Sequence, residues 1–259
     1  MTPAPENPVG QLPFLDDRPD RPESVTPVDS QRIIFIRHGQ TTGNIKRRLD
    51  TALPGAPLTD LGVTQARSLG RLLLPDVHRI GDIVTSHALR ARQTGAGAVA
   101  GLHHHGETTV RLRHEGGLHE IQAGDLEGRS DRDAHMEYMR AFYHWLHGEM
   151  DYQLPGGESG ADLLGRFLPT LNQLLEKSGA EGSESKPDSK HDIVIVSHGA
   201  AIRLVGQYLT GMDPEYALRH RIANTERIEL VPSAANVGKH AGIEPGTWEV
   251  RRWGENELP

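Results

Sequence analysis

The chain has no cysteine, which removes disulfides, thiolate nucleophiles and cysteine-ligated zinc or iron–sulfur sites. Long apolar runs are absent as well. No stretch approaches the length needed to cross a bilayer, so no membrane role is expected. The first 30 residues lack the basic start and continuous apolar core of a secretory signal, and a cytoplasmic location is the expectation. They hold 7 of the 17 prolines, with six acidic and two basic residues. Residues 1–30 therefore read as a disordered or loosely docked extension, with Phe14 and Leu15 able to pack onto the domain that follows. Positive charge is in deficit too. A net charge of −7 argues against a general nucleic-acid binder, because phosphate backbones attract basic surfaces. It does not argue against a small anion, whose site is set by a few residues.

What remains is an ordinary soluble composition, 36% hydrophobic and 24% charged over 259 residues. One domain over residues 31–259 fits that length. Along it, strand and helix patterns alternate, which argues for an α/β architecture: three layers, α/β/α, around a mostly parallel sheet. Strands are expected at Gln31–Ile36, Asp82–Thr85, Thr108–Leu112, Ile193–Val196, Arg227–Val231 and Thr247–Arg252. A helix capped by Thr59 should run to about Leu74, with Leu61, Ala66, Leu69, Leu72 and Leu73 as its apolar stripe. Further helices are expected at Leu89–Leu102, from Ser130-Asp131 through Leu146, at Ser159–Glu176 and at Gly199–Leu209. Lys177–His191 reads as a surface loop and Ser233–Gly246 as a long connection. The strand near Arg227–Val231 is an expected sheet edge, available for homodimer pairing.

Two apolar runs end alike. Ile33-Ile34-Phe35-Ile36 leads into Arg37-His38-Gly39, and Ile193-Val194-Ile195-Val196 into Ser197-His198-Gly199. The carboxyl ends of parallel strands are where open α/β sheets bind ligands. Phosphoryl transfer needs a nucleophile, neutralised phosphate oxygens and a proton for the leaving oxygen. His38 can be that nucleophile, Arg37 a planar permanent cation for phosphate, and Asn44 an amide donor to the same anion.

Further segments extend the pattern. Arg37-His38-Gly39-Gln40-Thr41-Thr42-Gly43-Asn44, Pro57-Leu58-Thr59-Asp60-Leu61-Gly62, Ser86-His87-Ala88-Leu89-Arg90-Ala91-Arg92-Gln93-Thr94, Leu118-His119-Glu120 through Gly128, and Ser197-His198-Gly199 occur in order. Together they resemble the histidine phosphatase superfamily, the phosphoglycerate-mutase-like group, over roughly Arg32 to Trp253. The resemblance implies a phosphorylated His38, a second phosphate arginine at Arg90, a proton donor at Glu120 and a second pocket histidine at His198. Arg37, Asn44, Gln40, Thr41, Arg90, His198 and Gly199 would contact substrate. It implies no metal and no cofactor, a small phosphorylated substrate, and inorganic phosphate as product.

The superfamily holds hydrolases and mutases. Phosphoglycerate mutases typically carry tryptophan where Gly43 stands here, and a longer segment before the Pro57-Leu58-Thr59 motif. Phosphomonoester hydrolysis is the favoured expectation. The alternatives are a 2,3-bisphosphoglycerate-dependent phosphoglycerate mutase and, lower, a non-catalytic phosphate-binding regulator. His103-His104-His105 reads as a solvated turn, Glu127 as a cap or anchor of its loop, and Arg92 as facing solvent or a helix neighbour. The Met136/Met139/Phe142/Tyr143 stripe reads as core, with Arg140 or Tyr143 touching substrate as a minor alternative. Arg47 and Arg48 stay open between a solvated face and recognition of the leaving group.

Overall fold

The computed structural model describes residues 30–107, 109–180, 191–236 and 242–259. Its centre is a six-stranded sheet: β1 (Ile33–Arg37), β2 (Ile80–Thr85), β3 (Arg111–His114), β4 (Asp192–Ser197), β5 (Arg227–Pro232) and β6 (Trp248–Trp253), in the order β3-β2-β4-β1-β5-β6. Only β5 runs against the others, antiparallel to both β1 and β6. The expected sheet is therefore present. The Arg227–Val231 segment, however, is an interior strand rather than an edge, because β6 covers its outer side; β3 and β6 are the edges.

Helices α1 (Thr42–Ile45), α2 (Asp60–Leu73), α3 (Leu89–His104), α4 (Arg132–Leu146), α5 (Gly160–Ala180), α6 (Gly199–Thr210) and α7 (Pro214–Arg219) complete the chain. The apolar runs of β1 and β4 are continuous because both faces of the sheet are covered. Ile33, Phe35, Ile193 and Ile195 pack among Phe142, Trp145, Phe167 and Leu204 of α4, α5 and α6. Ile34, Ile36, Val194 and Val196 pack among Leu69, Leu73, Ala91 and Ala98 of α2 and α3. Each such side chain taken from water contributes roughly 1.5–3 kcal/mol. The α/β/α layering follows directly from that alternation.

The second helical layer is held by small residues. A Cβ on Gly101 would lie 2.3 Å from the Arg67 carbonyl oxygen, and one on Gly70 would lie 2.5 Å from that of Ala98. This close approach rotates α2 relative to its expected stripe: Gly62, Ala66, Leu69, Gly70 and Leu73 are buried, whereas Leu61 and Leu72 are more than half exposed. In α4 the anticipated core stripe also divides. Phe142 is buried, but Met136 and Tyr143 are exposed. The three histidines at 103–105 end α3 as exposed helix and cap instead of a separate turn. Lys177–Ala180 belong to α5, which extends further than expected; 181–190, the rest of the expected loop up to His191, fall outside the described residues. So do 1–29 of the N-terminal extension, Thr108 of the third expected strand, and 237–241 of the connection before β6. Among the described residues no helix is long and apolar enough to cross a membrane.

Candidate active site

The parallel pairing of β1 with β4 builds the site. Their register ends with Arg37 opposite Ser197, and the His38 amide then donates to the Ser197 carbonyl at 3.0 Å. His38 and His198 are thereby delivered side by side, ring centroids 5.3 Å apart. Both are buried.

The hydrogen bonds of His38 set its tautomer. Nδ1 lies 2.8 Å from the Gly39 carbonyl oxygen, which can only accept, so Nδ1 carries the hydrogen. Nε2 is left with its lone pair, and Arg90 Nε donates to it at 3.1 Å. Desolvation, then the Arg90 and Arg37 charges, hold the ring well below the usual imidazole range, so it stays neutral. The Gly39 amide is fixed by Thr94 Oγ1 at 2.9 Å, and that hydroxyl in turn donates to the Arg90 carbonyl at 2.7 Å. One helix turn of α3 thus positions the nucleophile candidate and its arginine together.

Two buried nitrogens in this cluster have no hydrogen-bond partner: Arg90 Nη1 and His198 Nδ1. The Asp50 carboxylate is the nearest counter-charge to Arg90, at 3.9 Å. His198 Nε2 is engaged by Ser86 Oγ at 2.7 Å. Burial, then the Arg90 charge, drive the His198 pKa far down as well. Arg90 Nη1 is a buried donor without an acceptor, which is costly, and an anion beside it would supply one; Nδ1 of neutral His198 is a donor only in the tautomer in which Ser86 donates to Nε2.

Glu120 lies where α6 begins. Its carboxylate accepts from the Ala201 amide at 2.9 Å, its neighbour Ile121 at 3.0 Å and Ala200 at 3.1 Å. His198 occupies the cap position of α6 without a side-chain capping bond, so Glu120 supplies that cap from a distant segment. Arg37, Asn44, Thr41, Gly199, Arg90, Glu120 and His38 all border one open cavity of about 800 Å³. Seven arginines line it (37, 47, 48, 90, 132, 203 and 221) against the carboxylates of Asp50 and Glu120. Burial lowers the pKa of Arg37 and of Arg90, the mark of cations in a poorly solvated place.

Gln40 departs from expectation. Its side-chain oxygen accepts from Thr59 Oγ1 at 3.0 Å and its backbone N–H donates to the Gln65 side chain, so it secures the α2 entry instead of lining the cavity. Thr41 caps α1, with reciprocal bonds to Asn44. Glu127 anchors its loop through the Thr51 amide and hydroxyl, and Arg92 is exposed, both as expected. Neither Arg140 nor Tyr143 borders the cavity; Arg140 pairs with Glu137.

Several contributors left no local signal in the sequence. Asn224 Nδ2 donates to the His38 carbonyl at 2.8 Å and to Asn44 Oδ1 at 3.3 Å. It reaches them because the antiparallel β5 brings the 224–226 turn beside the end of β1. Arg203, with Nε on the Ala217 carbonyl and its guanidinium 4.5 Å above the Phe142 ring, also borders the cavity.

A mostly parallel sheet thus delivers paired histidines and buried arginines at its carboxyl edge, which places the protein in the α/β class. Residues 33–254 match the histidine phosphatase superfamily (branch 1), and the chain belongs to that family. It is 29% identical over 191 residues to a 2,3-bisphosphoglycerate-dependent phosphoglycerate mutase of Azorhizobium caulinodans, covering 74% of this chain and 87% of that one. With the same-named protein of Methylorubrum populi it shares 30% identity over 180 residues, 70% and 79% of the two chains. In fold it is similar to a mycobacterial glucosyl-3-phosphoglycerate phosphatase (TM-score 0.67, 23% identity, 88% of this chain and 100% of that chain). YhfR of Bacillus stearothermophilus gives a TM-score of 0.64 at 21% identity, over 89% and 98%.

Proposed function

We propose that the protein is a metal-independent phosphomonoester hydrolase that works through phosphorylation of His38. The observation that carries this reading is the His38 ring itself, neutral, with Nε2 unprotonated and Arg90 directly on it. Arg37, Arg90 and Asn44 would take the phosphoryl oxygens, and Arg90 Nη1 would gain an acceptor in place of none. In the first step Nε2 attacks phosphorus, the ester P–O bond breaks, and Glu120 gives its proton to the departing oxygen. In the second, water attacks phosphorus while Glu120 takes a proton from it; the P–N bond breaks and inorganic phosphate leaves. Three backbone N–H groups fix the Glu120 carboxylate in place; they favour its ionised form, the one that takes the proton from water.

The family's other chemistry is a transfer that excludes water, and the names of the relatives near 30% identity favour it. Against it stands the space at position 43. Mutases typically carry tryptophan where this chain has glycine, and an added Cβ here would lie 2.8 Å from the Asp50 carboxylate, which would have to shift. The open cavity also leaves access for water. Purified protein should hydrolyse p-nitrophenyl phosphate in the presence of a chelator. His38→Ala should lower that rate by roughly a thousandfold or more, the scale seen on removing a catalytic nucleophile. Interconversion of phosphoglycerates that depends on 2,3-bisphosphoglycerate and outpaces hydrolysis would instead establish the mutase.

A further inference from the structure

Behind the Glu120 segment lies an ion pair that the phosphate chemistry does not touch. Glu158 stands just ahead of α5 and Arg166 on its second turn, both partly buried. Their side chains meet fork to fork: Arg166 Nε donates to Glu158 Oε1 and Nη2 to Oε2, each at 2.8 Å. The other N–H groups of Arg166 go to backbone carbonyls of the segment that carries Glu120. Nη1 donates to Gly117 at 2.6 Å and to His119 at 2.8 Å, and Nη2 to Glu120 itself at 2.9 Å. All five N–H groups of the guanidinium are thereby engaged. Glu158 Oε2 secures the far side of Glu120 by accepting from the backbone N–H of Gln122 at 2.9 Å.

Helix α5 approaches this segment closely. A Cβ on Gly117, which has φ 79°, would lie 2.4 Å from the Arg166 carbonyl oxygen. Gln122 Nε2 adds a second bond to the Glu120 carbonyl at 3.0 Å. The peptide that follows Glu120 is therefore oriented by Arg166 and Gln122 together, each tied to Glu158. An ion pair withdrawn from water gains little stability over apolar residues of the same volume. What it supplies here is direction: a planar fork holds three carbonyls at set angles, which no apolar side chain can do.

The carboxylate end of Glu120 is held separately, by the amides at the start of α6. Those bonds suit the ionised group. A protonated carboxyl carries a hydrogen on one oxygen and accepts from N–H groups less well. The bonds from Arg166 and Gln122 fall on carbonyls, so they persist in either form. We infer that the Glu158–Arg166 pair positions Glu120 for proton delivery to the departing oxygen. Arg166 does not border the cavity, so it is a positioning residue that acts through the Glu120 main chain. The inference rests on the reading of Glu120 as the proton donor.

Leaving groups with unequal need of a proton test it. p-Nitrophenolate departs as a stable anion, whereas the alkoxide of benzyl phosphate must be protonated as it leaves. The ratio of kcat/KM for p-nitrophenyl phosphate to that for benzyl phosphate reads proton delivery during transfer to His38, and any inactive fraction cancels from it. In Arg166→Lys the ratio should rise by about tenfold or more, because one ammonium cannot span three carbonyls and a carboxylate. Glu158→Gln, which keeps the volume and loses the charge, should raise it by about threefold or more. Glu120→Gln should raise it most, and adding Arg166→Lys to that variant should move it by less than about twofold, as expected of groups that act through one another. A ratio unchanged in Glu120→Gln would contradict the proton-donor reading, and the positioning role with it. A ratio raised in Glu120→Gln but unmoved in Arg166→Lys and Glu158→Gln, with both substrates losing rate equally or not at all, would overturn the positioning role alone.

Discussion

His38 keeps its Nε2 lone pair because Gly39 takes the Nδ1 hydrogen and because burial, with two arginines, opposes protonation. Its backbone is fixed separately by Asn224, whose amide bridges His38 and Asn44. Asn224→Ala should cost about 1 kcal/mol of stability. It should also lower kcat by up to about a hundredfold, the effect of misplacing a reacting group by an ångström. Unfolding curves and steady-state rates on one preparation separate the two effects. The same residues make stability depend on pH. His38 and His198 are pushed well below the free value of 6.5, and burial lowers His119 to about 4. Between the folded and unfolded values the unfolded chain binds more protons. Stability should thus be flat above about pH 6.5, as far as these groups set it, and decline as pH falls toward 4. Urea midpoints measured at successive pH values check this, and His198→Gln should flatten the slope.

Among the elements, the α2–α3 contact has the least tolerance. Gly101→Val would drive Cβ into the Arg67 carbonyl, so an overpacking loss of at least about 1–3 kcal/mol is expected by thermal or chemical denaturation. Gly165→Ala in α5 meets open space and should instead stabilise by roughly 0.5–1 kcal/mol. The strand ends and helix starts could be read directly from the chain, since His38, His198 and the Thr59 cap lie at pattern boundaries. The facing of helices was less legible: Leu61 and Leu72 look like core until the glycine contact turns them outward. Helix α7 was not anticipated, being too short for periodicity to reveal. The position of β5 depends on β6 adding outside it, a pairing that no local pattern specifies.

At the scale of the whole molecule, the acidic chain encloses an arginine-rich cavity. Net charge would never have indicated it, because the seven arginines come from segments spread between residues 37 and 221. The ordered motifs supplied Arg37, His38, Asn44, Arg90, Glu120 and His198. They did not supply Asn224 or Arg203, and the side-chain oxygen of Gln40, which they assign to substrate, is engaged at the α2 entry. Motif reading thus captures groups carried by strand ends and helix starts, while long-range pairing decides what supports them. The central claim is that His38 accepts phosphate on Nε2 and passes it to water. Its most direct test is a rapid alkaline quench of enzyme mixed with excess phosphomonoester, followed by peptide mass spectrometry and phosphohistidine isomer analysis. The account predicts acid-labile phosphate on Nε2 of His38 that turns over to inorganic phosphate. Hydrolysis that proceeds with no phosphate on His38, or undiminished in His38→Ala, would contradict it.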